Sequence, residues 1–174
     1  TGLFVNMQAL SKGARRPKDF DKYDVKKIGI LGAGLMGAGI AYVTAKAGIE
    51  VVLIDMDQAA AEKGKEYSTK ILDKQLSKKK TTEEKKEKLL SLITPTTDYS
   101  LLKGADLIVE AVFENRDIKA DVTAKAEAQI SETAVFGSNT STLPITGLAQ
   151  NSSRPANFIG IHYFSPVELS LIHI

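Results

Sequence analysis

Three glycines, Gly32, Gly34 and Gly37, carry the spacing Gly-x-Gly-x-x-Gly within Gly32-Ala33-Gly34-Leu35-Met36-Gly37. The apolar run Lys27-Ile28-Gly29-Ile30-Leu31 leads directly into them, and a helix-like stretch follows. An acid, Asp55, closes a second apolar run, Val51-Val52-Leu53-Ile54, 23 positions after Gly32. Strand, glycine loop, helix and downstream acid together form the fingerprint of a dinucleotide site. Gly32 permits a tight turn, Gly34 lets the backbone approach a pyrophosphate, and Gly37 lets the helix sit close to the strand. The helix start at Leu35 and Met36 offers free amides and a positive dipole end to phosphate. A carboxylate at Asp55 accepts hydrogen bonds from ribose hydroxyls and repels a 2′-phosphate. No arginine follows in Met56-Asp57-Gln58, so the pattern favours NAD over NADP. The competing reading is a glycine-rich turn in an unrelated α/β protein; strand, helix and acid in place weigh against it.

His162, in Gly160-Ile161-His162-Tyr163-Phe164-Ser165-Pro166, is the residue type best suited to take a hydroxyl proton near neutral pH. A lone histidine beside aromatics is more often a core residue. Its place after a strand, on the edge that carries the glycine loop, favours the chemical role. Ser138-Asn139-Thr140-Ser141-Thr142 is a dense polar cluster after an apolar strand. These groups either hydrogen-bond a substrate oxygen or the nicotinamide ribose, or form a turn and cap leading into Pro144. Glu110 and Glu114 are open in the same way: one can be a solvated strand-end acid while the other faces the cofactor.

The elements that must position these residues alternate regularly. Strands are expected at 28–31, 50–54, 107–109, 134–136 and 157–161. Helices are expected at 35–47, 58–79, 82–92 and 117–130, with a short one from Pro144 to Leu148. Thr82 reads as an N-cap, and the lysine-rich pair of helices over 58–92 is too long for a bare crossover, so it reads as a projecting hairpin. Interleaved strands and helices predict an α/β, Rossmann-type, doubly wound and mostly parallel sheet. The candidate residues all follow strand ends, where such sheets bind ligands.

Composition excludes several classes. Hydrophobic residues make up 43% and charged residues 25% of 174, which suits one globular domain. A net charge of +2 is too small to argue for a nucleic-acid partner. With no cysteine and two histidines there is no disulfide framework and little to hold a metal. No apolar run approaches the roughly 20 residues of a membrane span, and residues 1–12 lack the pattern of a secretory signal. The chain opens on Thr1, and residues 1–25, with the basic breaker Gly13-Ala14-Arg15-Arg16-Pro17-Lys18, read as an arm or linker from something longer.

Four strings in order, Ile28 to Ala41, Glu110 to Asn115, Ser138 to Ser141 and His162 to Pro166, resemble the NAD-binding domain of L-3-hydroxyacyl-CoA dehydrogenase. The likeness covers about residues 26–168 and is strongest to the multifunctional α-subunits of fatty-acid β-oxidation. It implies NAD-dependent oxidation of an (S)-3-hydroxyacyl-CoA to the 3-ketoacyl-CoA. His162 is then the catalytic base, and Ser141 contacts both substrate and cofactor. Met36, Asp55, Val112, Phe113, Glu114 and Lys119 match NAD contacts beside the glycine loop. Asn139 and Lys78 fall on the substrate side, Lys78 near the CoA phosphates. An oligomeric parent, a thiolase subunit as partner, and a location in bacterial cytoplasm or in eukaryotic mitochondria or peroxisomes go with the resemblance. Leu10 to Pro17 looks like the linker from a preceding enoyl-CoA hydratase domain. Two departures stand out. The position of the glutamate that pairs with the family's histidine holds Ile174, in an atypical tail over 169–174 that includes His173. The helical C-terminal domain is also absent. The alternative is therefore an NAD-binding module with little catalysis of its own.

Overall fold

Runs of four or five apolar residues with no polar interruption leave no face for solvent, and they form the centre of a parallel sheet covered on both sides. The computed structural model describes residues 2–11, 13, 14, 18, 19 and 23–169. Six strands line up in the order β3-β2-β1-β4-β5-β6. They are β1 (Lys27–Leu31), β2 (Glu50–Ile54), β3 (Ile93–Thr96), β4 (Leu107–Glu110), β5 (Val135–Ser138) and β6 (Phe158–Gly160). The sequence predicts a mostly parallel sheet, and every described pairing is parallel.

Helices connect them: α1 (Gly2–Ser11), α2 (Leu35–Lys46), α3 (Gln58–Ser77), α4 (Glu83–Ser91), α5 (Arg116–Glu127) and α6 (Ile145–Ala149). Alternate strand residues face opposite layers. Ile28, Ile30, Val51 and Leu53 pack with Ile40, Ala41 and Ala45 of α2. Leu31, Val52, Ile54 and Ile108 pack with Val122 and Ala126 of α5 on the other side. The chain winds from β1 out to β3, then returns past β1 to begin β4. That reversal makes a crevice between β1 and β4 at the strand carboxyl ends. Among the described residues no helix is long and apolar enough to cross a membrane.

Two features depart from the sequence reading, and the arm fills it in. Residues 93–106, given no element there, contain β3 and a 3₁₀ turn at Tyr99–Leu102. Pro95 argues locally against a strand, but β3 is the sheet edge, where a missing N–H is tolerated. The arm, where the spacing of Phe4, Met7, Ala9 and Leu10 permits a short helix, contains a ten-residue helix, α1; Arg15, Arg16 and the tail from 170 onward lie outside the described residues. Helix α5 starts at Arg116 because Asn115 Oδ1 accepts the N–H groups of Asp117 and Ile118 as an N-cap.

The expected basic hairpin is α3 and α4. Twenty residues of α3 span about 30 Å, against about 17 Å for a five-residue strand, so the helix outruns the sheet. Thr82 caps α4 as expected, accepting Lys85 N–H at 3.3 Å. Lys86 of α4 bridges to Asp73 of α3 at 2.8 Å and also pairs with Glu83 in its own first turn at 2.9 Å. Past His162 the chain crosses back over this layer. Val167 is buried against Gly39 of α2, where an added Cβ would lie 2.9 Å from it. Tyr67 of α3 donates to Glu168 at 2.9 Å.

Candidate active site

The glycine loop is built as its spacing predicts. Gly32 has φ +94°, and a Cβ there would lie 2.7 Å from the carbonyl oxygen of Ala111. A Cβ on Gly37 would come within 1.8 Å of Gly32 O, so α2 can approach β1 only with glycine at this position. Gly34 differs: a Cβ there meets nothing within 4 Å. The protein itself leaves that space open, directly over the start of α2, and no side chain caps the helix. Free amides beside open space fit a pyrophosphate. Leu35 is exposed and Met36 half-buried against the core.

Asp55 stands at the end of β2, with one carboxylate oxygen accepting Ala33 N–H at 2.6 Å and the other Met56 N–H at 2.7 Å. It therefore ties the glycine loop to β2, and its remaining lone pairs are free for ribose hydroxyls. Nothing cationic follows it, since Asp57 caps α3 by accepting Ala60 N–H.

Across the switch point, side chains build the wall. Glu110, at the end of β4, is 1% exposed. Its Oε1 accepts Lys119 Nζ at 2.7 Å and Val112 N–H at 2.8 Å, and its Oε2 accepts Ser138 Oγ at 2.7 Å. Lys119 is buried, with its ammonium also 3.3 Å from Glu114 and 3.3 Å from Val112 O. Glu114 accepts the Thr140 hydroxyl at 2.9 Å, Ser141 N–H at 2.6 Å and Ser141 Oγ at 3.1 Å. Burial pushes its carboxyl towards protonation. The Ser141 N–H, the Thr140 hydroxyl, Lys119 and the Ser141 hydroxyl outweigh that and hold its pKa down to about 2. Phe113 is exposed beside this cluster, and Val112 packs partly on the core.

His162 follows β6 and is exposed; its ring meets Phe164 edge-on at 4.8 Å. Asn139 Oδ1 accepts Tyr163 N–H at 2.8 Å, so the loop carrying His162 is fastened to the end of β5.

The structure thus gathers Gly32, Gly34, Leu35, Met36, Gly37, Asp55, Val112, Phe113, Glu114, Asn139, Ser141 and His162 along one edge. Three expectations change. Glu110 is not solvated: it is buried, and three protein donors, from Val112, Lys119 and Ser138, hold it. Lys119, expected among cofactor contacts, has its ammonium folded onto Glu110, Glu114 and Val112. Lys78 is exposed at the end of α3, about 30 Å along that helix from Asp57, and is not brought to the other residues. Sequence reasoning gave Ser138 and Thr140 no separate roles. The one available signal was a glutamate ending an otherwise apolar strand, which needs buried partners.

A family model described as 3-hydroxyacyl-CoA dehydrogenase, NAD binding domain, matches residues 27–172. The (S)-3-hydroxybutyryl-CoA dehydrogenase PaaH1 of Ralstonia eutropha is 40% identical, with a TM-score of 0.79 over 83% of this chain and 51% of that one. The 3-hydroxybutyryl-CoA dehydrogenase of Escherichia coli is 31% identical, with a TM-score of 0.80 over 84% of this chain and 31% of the other. The dehydrogenase part of multifunctional enzyme 1 from C. elegans is 31% identical, with a TM-score of 0.73 over 84% of this chain and 34% of the other. The chain spans about half the length of the first of these relatives and about a third of the other two. With the fingerprint loop, the parallel sheet and the matched span in agreement, the chain belongs to the 3-hydroxyacyl-CoA dehydrogenase family, as its NAD-binding domain.

Proposed function

We propose that this domain serves the NAD-dependent oxidation of an (S)-3-hydroxyacyl-CoA to the 3-ketoacyl-CoA, with His162 as general base. The observation that carries the reading is the fastening of the His162 loop, through Asn139 and Tyr163, to the sheet edge that holds the glycine loop. A pyrophosphate over Gly34 and a ribose at Asp55 put the adenosine half above β2. The nicotinamide half then lies above β4 and β5, beside Glu114 and Ser141. Bound NAD supplies the hydride acceptor.

The chain's own residues handle the rest. An imidazole nitrogen of His162 takes the C3 hydroxyl proton. Ser141 gives its own O–H to Glu114, so its oxygen is left to accept a hydrogen bond from a hydroxyl of the substrate or ribose. Lys78 would reach CoA phosphates only in a protein whose cleft extends along the hairpin.

The test measures binding and turnover separately. In the full-length protein, His162→Gln lowers kcat for 3-hydroxybutyryl-CoA by about 10²- to 10⁴-fold, with NADH affinity held within about twofold. Unchanged kcat would remove His162 from the reaction. NADH binding by the 174-residue chain without turnover assigns this chain the binding role alone.

A further inference from the structure

Glu110 is a charge that the core does not need. Leu31, which pairs with Glu110 from the neighbouring strand β1, and Ile54 at the end of β2 beyond it are apolar and fully buried. A carboxylate in the same layer is stable only if it is paired and hydrogen-bonded. Its donors come from three different places: Val112 from the β4–α5 loop, Lys119 from α5 and Ser138 from β5. Each leads onward to the cleft. Lys119 continues to Glu114 at 3.3 Å. Ser138 Oγ receives Thr140 N–H at 3.3 Å, and the Thr140 hydroxyl donates to Glu114. The Val112 amide fixes the start of the loop that carries Phe113 and Glu114.

We propose that Glu110 is a positioning residue for the nicotinamide half of the cleft, holding Lys119, Ser138 and the Val112 amide so that Glu114 and Ser141 keep one geometry without Glu110 touching the cofactor. The inference rests on the NAD site proposed above. Two of its three donors, Lys119 and Ser138, belong to the β4–β5 side, and only the Val112 amide lies beside the glycine loop, so its main effect is expected on the nicotinamide half. Asp55 and the glycine loop share no hydrogen bond with it.

The experiment compares two ligands on the 174-residue chain by calorimetry. NADH uses both halves of the cleft; ADP-ribose lacks nicotinamide and uses the adenosine half. Glu110→Gln is expected to weaken NADH by about tenfold, the scale of coupling within one polar network, and to leave ADP-ribose within about twofold. In a Ser138→Ala background, which removes one of the three donors without stranding the charge, the same substitution should cost less than the sum of the two single losses, because both act in one network. Thermal melting reports folding alongside. If Glu110→Gln does not fold, Ser138→Ala carries the same comparison with no change of charge, and a loss of about threefold for NADH alone is expected. Equal loss of both ligands, an unchanged NADH affinity, or full additivity with Ser138→Ala would overturn the proposal. A wild-type chain that binds neither ligand overturns the NAD reading itself, and Glu110 falls with it.

Discussion

The two halves of the cleft are built from different materials. Around β1 and β2 the wall is backbone: three glycines, the start of α2, and one acid accepting two amides. Around β4 and β5 it is side chain: Glu110, Lys119, Glu114, Ser138, Thr140 and Ser141 in one network of charges and hydroxyls. The first half is set by steric exclusion, where a single atom in the wrong place is the hazard. The second is set by electrostatic pairing, where a missing partner is the hazard. In the first half the largest expected stability cost is a methyl group at Gly37; in the second it is the loss of one charged partner.

The sharpest way to break that contrast is Lys119→Met. It keeps most of the volume but leaves Glu110 buried without its cation, and unfolding by urea should show a loss of about 3–5 kcal/mol. A loss under 1 kcal/mol would mean that the network is not electrostatic in origin. Next comes the glycine pair within one loop. Gly37→Ala forces a Cβ against Gly32 O and should cost about 3 kcal/mol of stability. Gly34→Ala meets only open space, so stability should hold within about 0.5 kcal/mol while NADH affinity falls at least about tenfold. Equal stability losses for the two would erase the distinction between a glycine the fold needs and one the ligand needs.

A smaller effect is expected from Asp55→Asn. One oxygen still accepts an amide, but the charge that repels a 2′-phosphate is gone, so the preference for NAD over NADP should shrink by about tenfold, or 1.4 kcal/mol. An unchanged ratio would take cofactor choice away from Asp55. The smallest is the titration of Glu114. Its folded pKa of about 2 lies below the ordinary 4.5, so its stabilisation is present above pH 4.5 and is lost as pH falls towards 2. With 37% of the side chain exposed, screening leaves less than about 1 kcal/mol. A carbon-detected NMR titration with a midpoint near 4.5 would place Glu114 outside the network.

The same contrast decides what was legible in the sequence. A glycine loop, a strand and an acid announce themselves locally, because backbone geometry is encoded by residues near one another. The strands β1, β2 and β4 and the helices α2 and α3 were readable for that reason, since apolar runs and helical spacing are local signals. The β4–β5 wall was not. Glu110 meets Ser138 across 28 positions and Glu114 meets Ser141 across 27, so no period or spacing rule joins them. Family resemblance pointed to Glu114, Lys119 and Ser141, but not to Glu110, whose role appears only once three elements converge. The edge strand β3 was missed for a related reason: whether Pro95 breaks a strand depends on whether a neighbour needs its N–H, and that neighbour is chosen by the whole sheet.

The segment after His162 is pinned twice, first where Asn139 holds Tyr163 and again where Val167 sits on Gly39 and Glu168 takes the Tyr67 hydroxyl. Only a few residues lie between the pins. A short span moored at both ends has little slack, so tension or substitution beyond Leu169 must first pull free of α2 and α3 before it can displace the imidazole. The backbone beside His162 is thereby held from the β5 end, α2 and α3, by residues that all lie at or before Glu168.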